Sequence, residues 1–484
     1  MTNIRNNAFY NILRTSSTIL FQLLSFSYIA RILQAENLGK VNFSSSIISY
    51  VSLIASLGIA TYAVRECSKV SNDKNTLEKT ASQIMSINIC TTIIAYILLF
   101  ITLLFVKELE PYRVLIIIQS FSILFATLGA DWLNMALEDF RYITLRTIFF
   151  NVISIIAIFI FVKNTDDYII YAVITVVANS GTQLLNILYR KRYCHLKFTF
   201  NMDVRKHLRP LLILFAMLVS QIIYTNSGMT MLGIMKGDYD LGIYSVSVRI
   251  YNTVNTVIAS ISIVVMPKLS FYYKDRNYKN INEILKHALN LIIVLGIPCI
   301  TGINLITSDI IRFISGSGYQ AATTSLHILT ITLAASLLGG FIGNLIFLPS
   351  SRDSKVFISC FMSAAISILG NLFLIPHLGI NAVAITTTLA EIAGICFLFP
   401  QIEKQIQIKG KINMLKAPLV GAVFIVIISI VLRFYIENVY IKVPVIITVS
   451  AIVYLLTLIL MKDGFALKTL KPLIDKLVYN KRGK

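Results

Sequence analysis

Charge is scarce in this chain, and negative charge is scarcer. Asp, Glu, Lys and Arg make up 14% of the sequence, and only 23 of the 484 residues are acidic. That is too few to cover a soluble protein of this length with polar surface. The six cysteines (Cys67, Cys90, Cys194, Cys299, Cys360 and Cys396) form no CxxC pair and have no histidine at ligand spacing, so neither a disulfide framework nor a zinc site is expected. No G-x-x-x-x-G-K-[ST] loop, H-E-x-x-H pair or G-x-S-x-G turn occurs, which argues against ATP hydrolysis, zinc hydrolysis and serine acyl transfer. The reading is of a non-enzyme without a cofactor. The start, MTNIRNN, runs into an apolar stretch too long for a secretory signal and without a small-residue cleavage site, so it is expected to stay as the first span.

What is abundant is hydrophobicity, 56% of residues, gathered into runs of the roughly 20 residues needed to cross a hydrocarbon core about 30 Å thick. Hydropathy against the charged gaps places spans near 8–30, 41–63, 80–106, 112–137, 143–162, 168–189, 211–235, 241–266, 284–306, 321–348, 356–375, 380–400, 417–435 and 443–461. The expected fold is an all-α integral membrane protein of about fourteen transmembrane helices, in two six-helix pseudo-symmetric lobes plus two C-terminal helices. The corresponding boundaries are 1–189 for the first lobe, 190–210 for a basic cytoplasmic linker, 211–400 for the second lobe, 401–461 for spans 13 and 14, and 462–484 for a basic tail.

The net charge of +20 is spread over the gaps instead of forming one basic domain, which argues against nucleic acid. Counting alternate gaps, about 33 Lys and Arg fall on one side and about 9 on the other, so the first side, with both termini, is expected to be cytoplasmic. Anionic membrane lipids are natural partners for such gaps.

A weak internal repeat accompanies the division. AENLGKVNFSSS before span 2 and GDYDLGIYSVSV before span 8 each place a Leu-Gly (Leu38-Gly39, Leu241-Gly242) at a helix start, and Leu378-Gly379 opens span 12. Transporter repeats show themselves in this way, and substrate sites lie at their interfaces.

Polar residues inside the spans are the candidates for function, since a central charge costs about 3 kcal/mol on insertion scales. Asn7, Asn11, Arg14, Thr18, Gln22 and Ser25 share one face of span 1, and Ser245, Arg249, Asn252, Thr256 and Ser260 share one face of span 8. Span 2 carries a serine stripe that intrahelical bonding would satisfy. Together with Gln221, Tyr224 and Thr225 of span 7, these stripes suggest a hydrated cavity made cationic by Arg14 and Arg249. Glu391, in mid-span 12, is a possible coupling carboxylate. Asp131, near the end of span 4, is a second, with a structural role the simpler reading. His327 is expected to have a packing or hydrogen-bonding role. Gly339 and Gly343 form a G-x-x-x-G expected to allow close helix packing.

The stretch Asp131-Trp132-Leu133, Ala136-Leu137-Glu138-Asp139-Phe140 and Tyr142 resembles the D-W-[LF]-x-x-G-[LI]-E-x-[FY] pattern of Wzx-type polysaccharide flippases, members of the multidrug/oligosaccharidyl-lipid/polysaccharide exporter superfamily. ILQAENLGKVNF, ending at Phe43, and SLGIATYAVRE, around Gly58 and Arg65, resemble the same family. Ala136 stands where the pattern has Gly. The resemblance implies export of undecaprenyl-diphosphate-linked oligosaccharide repeat units across the bacterial cytoplasmic membrane by alternating access, for O antigen or capsule, upstream of a polysaccharide polymerase and chain-length machinery. Arg14 and Arg249 would face the diphosphate, with Asn11, Gln22, Asn252 and Asn255 bonding sugar or phosphate. A lipid II flippase of the superfamily would carry a first-helix Arg-Asp pair, and a cation-coupled drug exporter an acidic residue in span 1; span 1 has neither. An integral-membrane polymerase would need a large external loop, and the external gaps are short.

Overall fold

A computed structural model describes residues 2–407 and 411–461, and the expected basic tail at 462–484 lies outside the described residues. The described chain is built of helices and contains no strand. Thirteen helical segments among the described residues are long and apolar enough to cross a membrane. The first, Phe9–Lys69, has 61 residues, about 90 Å at 1.5 Å per residue and so about three hydrocarbon thicknesses. It breaks at Gln34, where φ is 59° and ψ 176°. It therefore supplies two crossings, and the expected fourteen spans are accounted for.

The chain divides into two compact units between Gly242 and Ile243. The first unit holds α1 (Thr2–Ser56), α2 (Ile59–Lys69), α3 (Lys74–Phe105), α4 (Arg113–Gly129), α5 (Asp131–Ala136), α6 (Phe140–Phe161), α7 (Tyr168–Tyr189), α8 (Val204–Lys236) and the first turn of α9 (Asp238–Lys274). Here α1 packs against α3, α4, α6 and α8, α4 lies along α7, and short α5 lies on α2. A buried apolar cluster including Ile59, Tyr62, Ile84, Trp132, Leu133 and Leu211 ties α2, α3, α5 and α8 together. Helix ends are set by local chemistry. Asp73 accepts from the Asn75 amide (3.0 Å) and the Thr76 hydroxyl to cap α3, and those bonds hold its carboxyl below the usual range. Gly237, at φ 89°, ends α8.

The linker between α7 and α8 is stitched to α3. The amides of His195, Lys197 and Thr199 donate to Glu78 Oε1 (2.9 Å), Ser82 Oγ (3.1 Å) and Ser86 Oγ (2.8 Å). Alternate residues of an extended chain and every fourth residue of a helix advance by similar distances, about 6 to 7 Å, which is why the register holds. Cys194 is buried beneath this strap, and burial pushes its thiol up to about 11, too high for a reactive thiolate.

The second unit contains the rest of α9, then α10 (Tyr278–Leu305), α11 (Thr307–Ser315), α12 (Ala322–Gly340), α13 (Asp353–Leu378), α14 (Ile380–Leu398), α15 (Lys411–Tyr435) and α16 (Val439–Leu460). α13 and α14 are joined by a polar seam with four-residue spacing. Ser359 and Ser363 donate to the carbonyls of Gly394 (3.3 Å) and Ala390 (2.8 Å), and Asn371 Oδ1 accepts from Thr386 (2.6 Å). Such bonds replace the hydrophobic drive that helices lack in lipid. The α15–α16 pair sits on α10 through Tyr454, whose hydroxyl donates to the Val294 carbonyl at 2.7 Å. Asp309 of α11 receives Arg433 at 3.0 Å and Lys442 at 3.6 Å.

The G-x-x-x-G expectation needs correction. A Cβ at Gly343 would meet nothing within 4 Å, and one at Gly339 only ordinary contacts. The second glycine lies in a π-helical turn, Phe341–Phe347, and no neighbouring helix comes close to it. His327 bonds Asn304 Oδ1 at 2.9 Å, and Asn304 in turn donates to Thr330 at 2.7 Å, a hydrogen-bonding role of the kind expected.

Candidate functional site

In the first unit, the polar face of α1 meets the α4–α5 corner and α6. Ala130, at φ 53°, breaks the helix and starts α5 at Asp131. Asp131 Oδ1 accepts from Arg146 Nη2 at 2.7 Å, and its Oδ2 accepts from Gln183 Nε2 at 3.0 Å. Gly129 makes room for this arrangement, since a Cβ there would collide with the Gln183 side chain. Arg14 Nη2 donates to Asn11 Oδ1, one turn earlier on α1, at 2.9 Å. Arg14 lies near enough to be attracted by Asp131 and repelled by Arg146. The cluster of Asn11, Arg14, Asp131, Arg146 and Gln183 thus has two guanidinium groups for one carboxylate.

The rest of the D-W-L…E-D-F stretch acts as a tie. Asn134 donates to Asn186 at 2.7 Å, and Asn186 to the Gly129 carbonyl at 2.8 Å. Asp139 caps α6 and accepts from Tyr189 at 2.8 Å and Tyr193 at 3.1 Å. Glu138 accepts from Asn7 at 3.0 Å, and Tyr142 stacks on Tyr189 with ring centroids 3.5 Å apart. Ala136 is buried in the cluster around Trp132. These bonds fasten α5 to α1, α6 and α7.

Arg146 was not among the residues the sequence singled out. Its side chain is 2% exposed, and it stands within the apolar run of α6, one turn beyond Tyr142. The same cost argument that selected Arg249 applies to it: a buried guanidinium demands a partner, and Asp131, at the other end of the α5–α6 turn, is that partner.

In the second unit, Asn255 Nδ2 lies 3.4 Å from Ser336 Oγ, between α9 and α12. Glu391 of α14 faces Gly339, with Oε2 3.4 Å from the place of a Cβ there. It lies within electrostatic reach of Tyr251 and Cys360. Arg249 is half-buried and Asn252 exposed. Of the singled-out residues, then, Asn11, Arg14 and Asp131 fall in one cluster, with Gln22 exposed higher on the same helix. Asn255 and Glu391 line neighbouring faces around α12. In the span 2 stripe of Asn42, Ser45, Ser49, Ser52 and Ser56, Ser49 and Ser56 donate to carbonyls four and three residues back, while Ser45 reaches Gln119 at 3.2 Å. Among the described residues, no group of three His, Cys, Asp or Glu could hold a metal ion.

The family described as "Polysaccharide biosynthesis protein" matches residues 4–272, more than half of the chain, and the chain belongs to that family. Capsular polysaccharide biosynthesis protein CapF of Staphylococcus aureus is 23% identical over 383 residues, 78% of this chain and 93% of the relative. The "Putative O-antigen transporter" of Escherichia coli (strain K12) is 24% identical over 333 residues, 68% of this chain and 79% of the relative. Among solved structures, lipid II flippase MurJ in an inward closed conformation superposes with a TM-score of 0.74 at 18% identity, covering 94% of this chain and 99% of that one. A crystal structure of MATE in complex with MaL6 gives a TM-score of 0.58 at 18% identity, covering 82% and 95%. At these identities the structural likeness establishes the fold.

Proposed function

We propose that this member of the polysaccharide biosynthesis protein family is a flippase. It carries undecaprenyl-diphosphate-linked oligosaccharide repeat units from the cytoplasmic to the outer leaflet of the bacterial inner membrane by alternating access, for assembly of O antigen or capsule. The observation that carries this reading is the family match, joined to relatives named for capsular polysaccharide biosynthesis and O-antigen transport. The residue chemistry supports it. A diphosphate crossing a low-dielectric region needs cations and hydrogen-bond donors along its path. Arg14 and Arg249 supply the charge, and Asn11, Gln22, Asn252 and Asn255 the neutral partners. Glu391, a carboxylate deep in α14, exchanges the coupling proton, whereas both oxygens of Asp131 are committed to Arg146 and Gln183. With both termini cytoplasmic, the product emerges where a polymerase and chain-length machinery would receive it.

The test is deletion of the protein in its own cell, followed by analysis of lipid-linked oligosaccharide. Accumulation of the repeat unit on the cytoplasmic side, with loss of surface polymer, is the expected result. Unchanged polymer with altered drug sensitivity would replace this reading with drug export. Restoration of growth to cells depleted of their lipid II flippase would replace it with lipid II translocation.

A further inference from the structure

Two arginines and one aspartate share the interior of the first unit, and which arginine the carboxylate holds decides where the surplus positive charge resides. In the structure the carboxylate is taken up on both oxygens, by Arg146 at 2.7 Å and Gln183 at 3.0 Å. Arg14 is bonded instead to Asn11, and no ion pair joins Arg14 to Asp131 among the described residues. Yet Arg14 is close enough to sense both charged groups. The two guanidinium groups differ in access, since the Arg146 side chain is 2% exposed and Arg14 is half-buried. A substrate phosphate can meet the second far more readily than the first. Arg146 uses only one nitrogen in this pair. Its Nε and Nη1 are buried without a hydrogen-bond partner, and its guanidinium lies 5.1 Å from the Tyr142 ring centroid. Asp131 is thus its single counter-charge.

We propose that Arg146 is a positioning residue that sequesters Asp131, with Gln183, and thereby leaves the cation of Arg14 available to the anionic head group. The inference rests on the reading of Arg14 given above. Without Arg146, Arg14 is a cation within electrostatic reach of Asp131. At low effective dielectric the two would close into an ion pair that a phosphate must break before it can bind. Removing the carboxylate as well should reopen the site, because Arg14 then has no internal competitor. A purely structural role for the Arg146–Asp131 pair predicts no such recovery.

The experiment uses the full-length protein in lipid nanodiscs, with undecaprenyl diphosphate as the probe, and measures thermal midpoint beside affinity. Arg146→Gln should weaken binding about tenfold or more, Asp131→Asn should leave it within about threefold of the parent, and the double variant should return to that range. Gln183→Leu frees one carboxylate oxygen and should give a smaller loss that Asp131→Asn also corrects, so the test survives if Arg146→Gln alone does not fold. A folded double variant that binds as weakly as Arg146→Gln would overturn the inference while leaving the role of Arg14 intact. Parental binding by Arg14→Gln would remove the underlying reading and this inference with it.

Discussion

Gly39 has no space for a side chain because a Cβ there would overlap the carbonyl of Asp238, and the relationship is reciprocal: a Cβ at Gly242 would overlap the carbonyl of Ala35. The segments Gln34-Ala35-Glu36-Asn37-Leu38-Gly39 and Gly237-Asp238-Tyr239-Asp240-Leu241-Gly242 align without a gap, so Ala35 pairs with Gly242 as Asp238 pairs with Gly39. The aligned helix breaks share a backbone conformation, with φ 59° and ψ 176° at Gln34 and φ 89° and ψ −178° at Gly237. Leu378-Gly379 is a different case. Gly379 has φ 54° and open space around its Cβ position, so it serves to turn α13 into α14.

The crossing predicts sensitivity at both glycines. Gly39→Val and Gly242→Val each force backbone apart from backbone, which should cost about 1–3 kcal/mol or more and lower the thermal midpoint in detergent. Gly302→Ala, in a helix with nothing within 4 Å of the added carbon, should be neutral or stabilising by up to about 1 kcal/mol. Equal effects at all three positions would show that the close approach does not govern stability.

Gln34 holds a conformation that is ordinarily left to glycine, and its aligned mate is a glycine. Gln34→Gly should therefore raise the midpoint, relieving about 1–3 kcal/mol of backbone strain against the loss of one exposed bond from Gln34 Nε2 to the Arg31 carbonyl at 2.7 Å. A lower midpoint would mean that the side-chain bond outweighs the strain.

Span positions and the Leu-Gly repeat were legible because hydropathy and short motifs are properties of neighbouring residues. The break that splits α1 was legible only as a gap between spans, since glutamine gives no sign of a positive φ. Asp131 was visible as a carboxylate in an apolar run, but its partners Arg146 and Gln183 sit on two other helices. Only the folded α5–α6 and α4–α7 contacts bring them together. The Gly339–Gly343 spacing misled because spacing alone does not say whether a neighbouring helix comes close: only ordinary side-chain contacts surround Gly339 and nothing lies near Gly343.

The charge pattern predicts which loops face which side. In a background without reactive native cysteines, Ser317→Cys should react with an impermeant thiol reagent added outside intact cells. Phe200→Cys, in the α7–α8 linker and 91% exposed, should react only after the membrane is opened. Labelling in the opposite order would reverse the topology.

Glu391 lies too deep in α14 to be retained without a partner or a task. Glu391→Gln preserves shape and hydrogen bonding but cannot exchange a proton, so it should leave membrane abundance unchanged and flatten the pH dependence of export. A parental pH profile would assign Glu391 to helix pairing beside Tyr251 and Gly339.

Arg249 gives the sharpest test of the cationic path, because it stands on the polar face of α9 with Asn252 and Thr256, where contact with lipid would be costly. Arg249→Ala should abolish or greatly reduce polymer export. Arg249→Lys should retain part of it, because the charge remains while the planar fork that grips two phosphate oxygens is lost. Membrane abundance and thermal midpoint have to be followed together with export, since removing one member of a buried interaction can destabilise the bundle by about 3–5 kcal/mol and imitate a transport defect. Reduced export at normal abundance, graded from arginine through lysine to alanine, places the residue on the substrate path. Full export by a stable Arg249→Ala protein would remove it from that path and leave Arg14, with its charge kept open by the Asp131–Arg146 pair, as the cation that the head group meets.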